Sequence, residues 1–243
     1  KPSLLLKVLE GESEDTVGKQ LSLFHERALP NLGQNIKCGN SLIGSDFYAG
    51  GQATFLDSDE QRRINAFDWE KEFAGVFASS GGFDVLVGNP PYVRQEGLGE
   101  FKPYFQQNYR VYHGIADLYS YFIEKGVSLL RKGGLFGYIV ANKWLRANYG
   151  EPLRQWLKHL DILEITDFGD LPVFENVTTY SLILLLKKAE ASHETKITQV
   201  KSLNFTDLTQ YVQTNHYSVD QIKLDDKGWS LASDSQQSII EKL

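Results

Sequence analysis

The chain has 243 residues, 42% hydrophobic and 23% charged, which suits one large domain or a domain with a connector. Its 25 Lys and Arg against 31 Asp and Glu leave a net charge of -6, so it is no uniformly basic coat protein and any DNA partner must meet a local positive patch. The single Cys38 excludes a disulfide framework and a multi-cysteine zinc site and fits a reducing, cytoplasmic setting, while apolar runs such as LFGYIV and YSLILLL are too short to span a bilayer.

The chain opens at Lys1 without a signal-peptide pattern and contains no methionine, and it is read as a piece of something longer. In chain order, PSLLLKVLE predicts the end of a helix, a polar loop follows, and LSLFHERALP holds a helical turn or two. NIKCGNSLIG predicts a short strand ending at Gly39-Asn40, with Cys38 buried on it. Residues 45–66 predict an exposed excursion, and FDWEKEFAGVFA a short amphipathic helix stopped by Gly81-Gly82. FDVLVG is a nearly continuous apolar run, the pattern of a strand buried on both faces, and it stops at Asn89-Pro90-Pro91-Tyr92.

ADLYSYFIEKGVSLLRKGG predicts a helix, with Asp117 as candidate N-cap and Gly133-Gly134 as its exit. LFGYIV is a buried strand, followed by a helix around EPLRQWLKHL, a strand ILEITDFG, a turn through DLPVFEN and a strand TTYSLILLLKK. The expected fold is an open α/β sheet, mostly parallel and ending in an antiparallel hairpin. Residues 1–188 form its core. Beyond Lys188 the pattern weakens; ITQVKSL is one more candidate strand, and 189–243 is read as a connector.

Asn-Pro-Pro-Tyr directly after a strand is the most informative tetrapeptide. In an open α/β sheet, ligands sit beyond the carboxyl ends of the strands. An exocyclic amine on a nucleobase is a poor nucleophile, because its lone pair is delocalised into the ring. Two acceptors on its two N–H groups would draw the nitrogen toward a tetrahedral geometry. The Asn89 side-chain oxygen and the Pro90 carbonyl, on a backbone stiffened by Pro90 and Pro91, supply two such acceptors. Tyr92 adds a flat face on which a base can stack. The competing reading is a strand-ending turn with an outward tyrosine.

Lys143, Trp144, Arg146, Asn148 and Tyr149 combine basic and aromatic groups after a strand end, which suits phosphate contact by Lys143 and Arg146 and equally suits a solvated helix start. Between Asp84 and Leu160, ten Lys or Arg face six Asp or Glu, so the positive surplus shares its stretch with the tetrapeptide. The five histidines show no pair at metal-ligand spacing, no metal is expected, and no nuclease-like acidic cluster stands out.

FDVLVGNPPYVRQE, ADLYSYFIEKGVSLLRKGGLFGYIVANKWLRANYG and DFGDLPVFENVTTYSLILLLKK resemble the catalytic core of adenine-N6 DNA methyltransferases, and more narrowly the type IIG restriction-modification (Eco57I-like) enzymes. The resemblance implies a partial Rossmann-like class I methyltransferase fold. It also implies methyl transfer from S-adenosyl-L-methionine to an adenine flipped out of double-stranded DNA. Residue by residue, it implies that Asn89, Pro90, Pro91 and Tyr92 are catalytic and that Phe174, in a Val-Phe step, stacks on the far side of the base; Phe174 alone also reads as a core phenylalanine on a turn. Asn40 stands where the family often has an aspartate near the donor's adenine, and it reads equally as a turn residue. Asp117 and Leu118 match the segment lining the donor pocket; Asp117 alone reads equally as a helix cap.

The family's glycine-rich donor loop and ribose-binding carboxylate would precede Lys1, and its target-recognition domain would follow Leu243. On this reading the rest of the polypeptide is a partner of the segment, which is expected to be inactive alone. With the family's first strands outside it, either further chain completes the sheet or a rearranged edge is exposed. Two other functions remain open: a protein glutamine-amide methyltransferase, which also grips a planar amide with such a loop, and a non-catalytic module that binds DNA or a protein.

Overall fold

Stretches rich in aliphatic and β-branched residues pair into a single six-stranded sheet: β1 Phe83–Gly88, β2 Leu130–Ala141, β3 Leu160–Asp167, β4 Ser181–Glu190, β5 Glu194–Gln199 and β6 Tyr217–Asp220, in the order β1-β2-β4-β3-β5-β6. These elements come from a computed structural model that describes residues 32–48, 58–93, 95–174, 180–192 and 194–231. The predicted helices at 2–10 and 21–30 and most of the segment after Trp229 lie outside the described residues.

β1 and β2 are parallel, as are β3 and β5, whereas β4 runs antiparallel to both β2 and β3, and β6 antiparallel to β5. Four of the six strands therefore share one direction, and β3 with β4 makes the expected antiparallel hairpin. Because β4 lies between β2 and β3, the carboxyl ends of β1, β2 and β3 all open on the side where β4 begins.

The helices are α1 Ser58–Ile64, α2 Trp69–Glu72, α3 Ala74–Ser80, α4 Lys102–Asn108, α5 Leu118–Leu129, α6 Glu151–Leu157 and α7 Leu208–Asn215. Among the described residues, no helix is long and apolar enough to cross a membrane. The core lies under α5 and α6. There Ile123, Leu153 and Leu157 meet Val140 of β2, Ile162 and Ile165 of β3, and Leu182, Leu184 and Leu186 of β4, all fully buried in one cluster. Each such side chain contributes about 1.5–3 kcal/mol of transfer free energy. α5 lies close to the sheet at Gly126, where a Cβ would come within 2.8 Å of the Phe136 ring.

The chain divides into two compact units, Lys1–Gly39 and Asn40–Leu243. In the first, the described residues form a 3-10 turn at Leu32–Gln34 and then an irregular path on which Cys38 is exposed. The predicted NIKCG strand is therefore absent and Cys38 is not buried. A strand needs a ladder partner, and this one is reduced to a single bridge between Asn40 and Ala66.

β1 is also not buried on both faces. Among the described residues it pairs with β2 alone, at the sheet edge, leaving Val85 56% and Val87 76% exposed. Gly133-Gly134 does not end a helix. α5 stops at Leu129, and the glycines sit in an irregular start of β2, where Gly133 has φ 79° and a Cβ on Gly134 would press on the Phe83 and Asp84 carbonyls. Past Lys188 the chain adds β5, α7 and β6 to the structure, and Trp229 and Leu231 are buried.

Candidate active site

The last residue of β1 must be small for a local reason. A Cβ on Gly88 would lie 2.8 Å from the ring of Tyr138, which is itself buried and packed on Phe136. From there the chain passes through an exposed Asn89, a buried Pro90 and an exposed Pro91. The Val93 carbonyl then accepts the Leu118 N–H at 3.1 Å, which ties the loop to the head of α5. Tyr92 is 36% exposed, and its hydroxyl donates to the Ile139 carbonyl of β2 at 3.4 Å. Burial pushes its phenol up, so the ring stays neutral. The result is a half-exposed aromatic face beside an exposed carboxamide, on a loop held at both ends.

Asp117 occupies the N-cap position of α5, but its carboxylate does not cap the helix. Instead Tyr149 donates its hydroxyl to Asp117 Oδ2 at 3.4 Å, and the Tyr119 and Tyr149 hydroxyls meet at 3.1 Å. Desolvation raises the pKa of both phenols. Asp117 and Leu118 stand at the head of α5, where the Val93 carbonyl ties the tetrapeptide loop to the helix. Asn40 sits on a turn of its own, where its Oδ1 accepts the Leu42 N–H at 3.2 Å and its own N–H donates to the Asn65 carbonyl.

A crevice of about 520 Å³ opens at the carboxyl ends of β2 and β3, lined by Asn142, Lys143, Arg146, Tyr149, Asp167 and Gly169 among others. Lys143 and Arg146 are exposed on it, but Trp144, grouped with them in the sequence, is fully buried and packs on Trp229 at 5.3 Å between ring centres. Phe174 lies half-buried on the connection from β3 to β4, at the same end of the sheet. Sequence reasoning missed the link between these parts: Asn142 Nδ2 donates to Asp167 Oδ1 at 2.9 Å, joining the residue after β2 to the last residue of β3. The signal available was a polar residue at the carboxyl end of successive strands, as at Asn89.

A family model described as Eco57I restriction-modification methylase matches residues 1–174. The chain belongs to this family. The type II restriction enzyme and methyltransferase RM.Eco57I of Escherichia coli is 34% identical over 190 residues, which is 76% of this chain and 17% of that protein. The type II methyltransferase M.PaeR7I of Pseudomonas aeruginosa is 34% identical over 132 residues, 53% of this chain and 23% of its own length. The chain therefore spans less than a quarter of these relatives. A structure of the ATP-dependent type ISP restriction-modification enzyme LlaBIII bound to DNA aligns with a TM-score of 0.51 at 15% identity, over 88% of this chain and 16% of that one, a likeness of fold. In this Eco57I-family chain, the stretch matched by the family model includes the tetrapeptide, the Lys143–Tyr149 rim and Phe174.

Proposed function

We propose that this chain is the base-handling part of a DNA adenine-N6 methyltransferase of a restriction-modification system, and that the full-length protein acts on double-stranded DNA. The observation that carries the reading is the placement of Asn89 and Tyr92, exposed and half-exposed on a stiff loop at the carboxyl end of β1. Asn89 Oδ1 and the Pro90 carbonyl accept the two N–H groups of the target amine and turn its lone pair outward. S-adenosylmethionine, when bound, supplies the electrophilic methyl group. Tyr92 and Phe174 take the two faces of the extruded base, and Lys143 and Arg146 meet the phosphates that flank it.

No strongly shifted pKa is needed, since the chemistry rests on positioning and on dipoles fixed in advance. Membership of a restriction-modification methylase family favours a nucleobase amine over a protein amide as the group gripped.

The test is Asn89→Ala in the full-length protein, assayed on duplexes carrying the sequence found by mapping methylated adenines in cells that express it. Methyl transfer should be lost with duplex affinity retained. Turnover like that of the unaltered protein, or methylation mapped to protein glutamines instead of DNA, would refute the reading.

A further inference from the structure

Both walls proposed for the extruded base hang from the carboxyl end of one strand. Tyr92 is tied to β2 through the Ile139 carbonyl, and three residues later Asn142 begins the link to the other wall. The Asn142 backbone N–H donates to the Tyr180 carbonyl at 2.8 Å, and its side chain donates to Asp167 Oδ1 at 2.9 Å. That same oxygen accepts the Gly169 N–H at 3.1 Å, closing a turn in which Gly169 has φ 56°. The Phe168 N–H donates to Ser181, the first residue of β4.

β2 and β3 are not neighbours in the sheet, because β4 lies between them. Their backbones are therefore about two strand spacings, roughly 9–10 Å, apart. The Asn142–Asp167 bond bridges that gap over the beginning of β4, so Asn142 holds the start of the connection that carries Phe174 through its side chain and the end, at Tyr180, through its backbone N–H.

We infer that Asn142 and Asp167 form a positioning latch that sets the distance between the Tyr92 and Phe174 walls. The inference rests on the base-stacking reading above. The latch acts by fixing where Phe174 stands relative to β2. Its chemistry is directional, with an amide N–H on one side and an oxygen shared by two N–H groups on the other.

Directionality gives the test. In the full-length protein, Asn142→Asp places a carboxylate opposite Asp167 and removes the donor. Single-turnover methyl transfer should fall on the order of 100-fold, as for a misplaced reacting group, while KM for the methyl donor stays put. The fluorescence change of 2-aminopurine at the target position should fall with it. Exchanging the pair, Asn142→Asp together with Asp167→Asn, restores a bond across the gap, with the Asn at 167 donating its N–H to the Asp at 142; because one oxygen of Asp167 serves both Asn142 and Gly169, that amide N–H takes the oxygen's place and the Gly169 bond is given up. That variant should recover part of the loss.

A double exchange no better than the single variant, in turnover or in thermal melting, would overturn the latch. Tyr92→Ala and Phe174→Ala, read with the same fluorescent base, separate the two levels. If both alter the signal and the Asn142 variants do not, only the latch fails. If neither does, the stacking reading fails and the latch with it.

Discussion

At the scale of one residue, Tyr92 separates what a ring does from what a hydroxyl does. Its O–H to the Ile139 carbonyl is 3.4 Å, beyond the usual range of a strong hydrogen bond. Tyr92→Phe should therefore cost no more than about 1 kcal/mol of stability and keep most base capture. Tyr92→Ala removes a stacking face worth about 1–3 kcal/mol per base, or roughly 5- to 150-fold in capture of an extruded base. Titrating both variants with a duplex containing 2-aminopurine checks this; equal losses would mean that the hydroxyl and not the ring is what matters. The tetrapeptide was legible because its chemistry is local, four consecutive residues after an apolar run. The Asn142–Asp167 pair was not, because its members are 25 residues apart and meet only through the insertion of β4 between β2 and β3. Asn40 shows the opposite case, since the turn reading that the sequence left open describes how its side chain is held.

At the scale of elements, α6 holds the rim of the crevice through a fully buried arginine. Arg154 Nε donates to the Asp226 carbonyl at 2.8 Å, and its Nη1 donates to the carbonyls of Trp144 at 2.5 Å and Ala147 at 2.9 Å. The Trp229 N–H adds a bond to the Leu145 carbonyl at 2.7 Å. The segment 143–149 is thus pinned between α6 and the chain near 225–229, which leaves Lys143 and Arg146 outward. Burial lowers the Arg154 pKa, yet a guanidinium stays charged and serves three carbonyls with one planar fork. Arg154→Lys offers a single point charge that cannot span them. It should lose about 2–4 kcal/mol in urea unfolding, the scale of buried acceptors left unpaired; an unchanged midpoint would contradict the role. Pro152 sits in the first turn of α6, where its missing N–H costs nothing, but nothing in EPLRQWLKHL announced a buried Arg154. β1 to β4, α5 and α6 were readable because each is a single apolar period bounded by turn residues, whereas α4, with Phe105 as its one buried residue, carried no such period. β5 and β6 were harder, for two of the three side chains that ETKITQ buries are threonines, Thr195 and Thr198 beside Ile197, and YSVD buries one. β1 misled because its apolar run suits a central strand, while its exposure depends on what lies beside it.

At the scale of the whole molecule, the net charge of -6 conceals a division of labour. Of the cations between Asp84 and Leu160, Arg154 is buried, Arg131 pairs with Asp84 and Lys158 pairs with Asp226, while Lys143 and Arg146 stand exposed where the strands end. The same fold sequesters tyrosines. Burial raises Tyr104, Tyr121, Tyr138 and Tyr217 to about 12, and raises Tyr92, Tyr109, Tyr119 and Tyr149 as well. A phenol with a raised folded pKa keeps a proton that the unfolded chain gives up, so its contribution is complete below the unfolded value of about 10 and is lost as pH climbs through the folded one. Burial pulls the ammonium groups of Lys125 and Lys188 down, which acts in the opposite sense, since the unfolded chain then holds the extra proton up to the ordinary lysine range. Two such groups stand against eight phenols, and the phenols alone still act above that range. The melting temperature should therefore fall from about pH 10 and keep falling through about pH 12. Tyrosinate absorbance from the buried rings should rise in the same cooperative step that removes the far-ultraviolet dichroism of the helices. Full ionisation of the tyrosines with the dichroism intact would show that these rings are open to solvent, and with them the packing of α5 that presents Asp117 and Leu118 to the Asn89 loop.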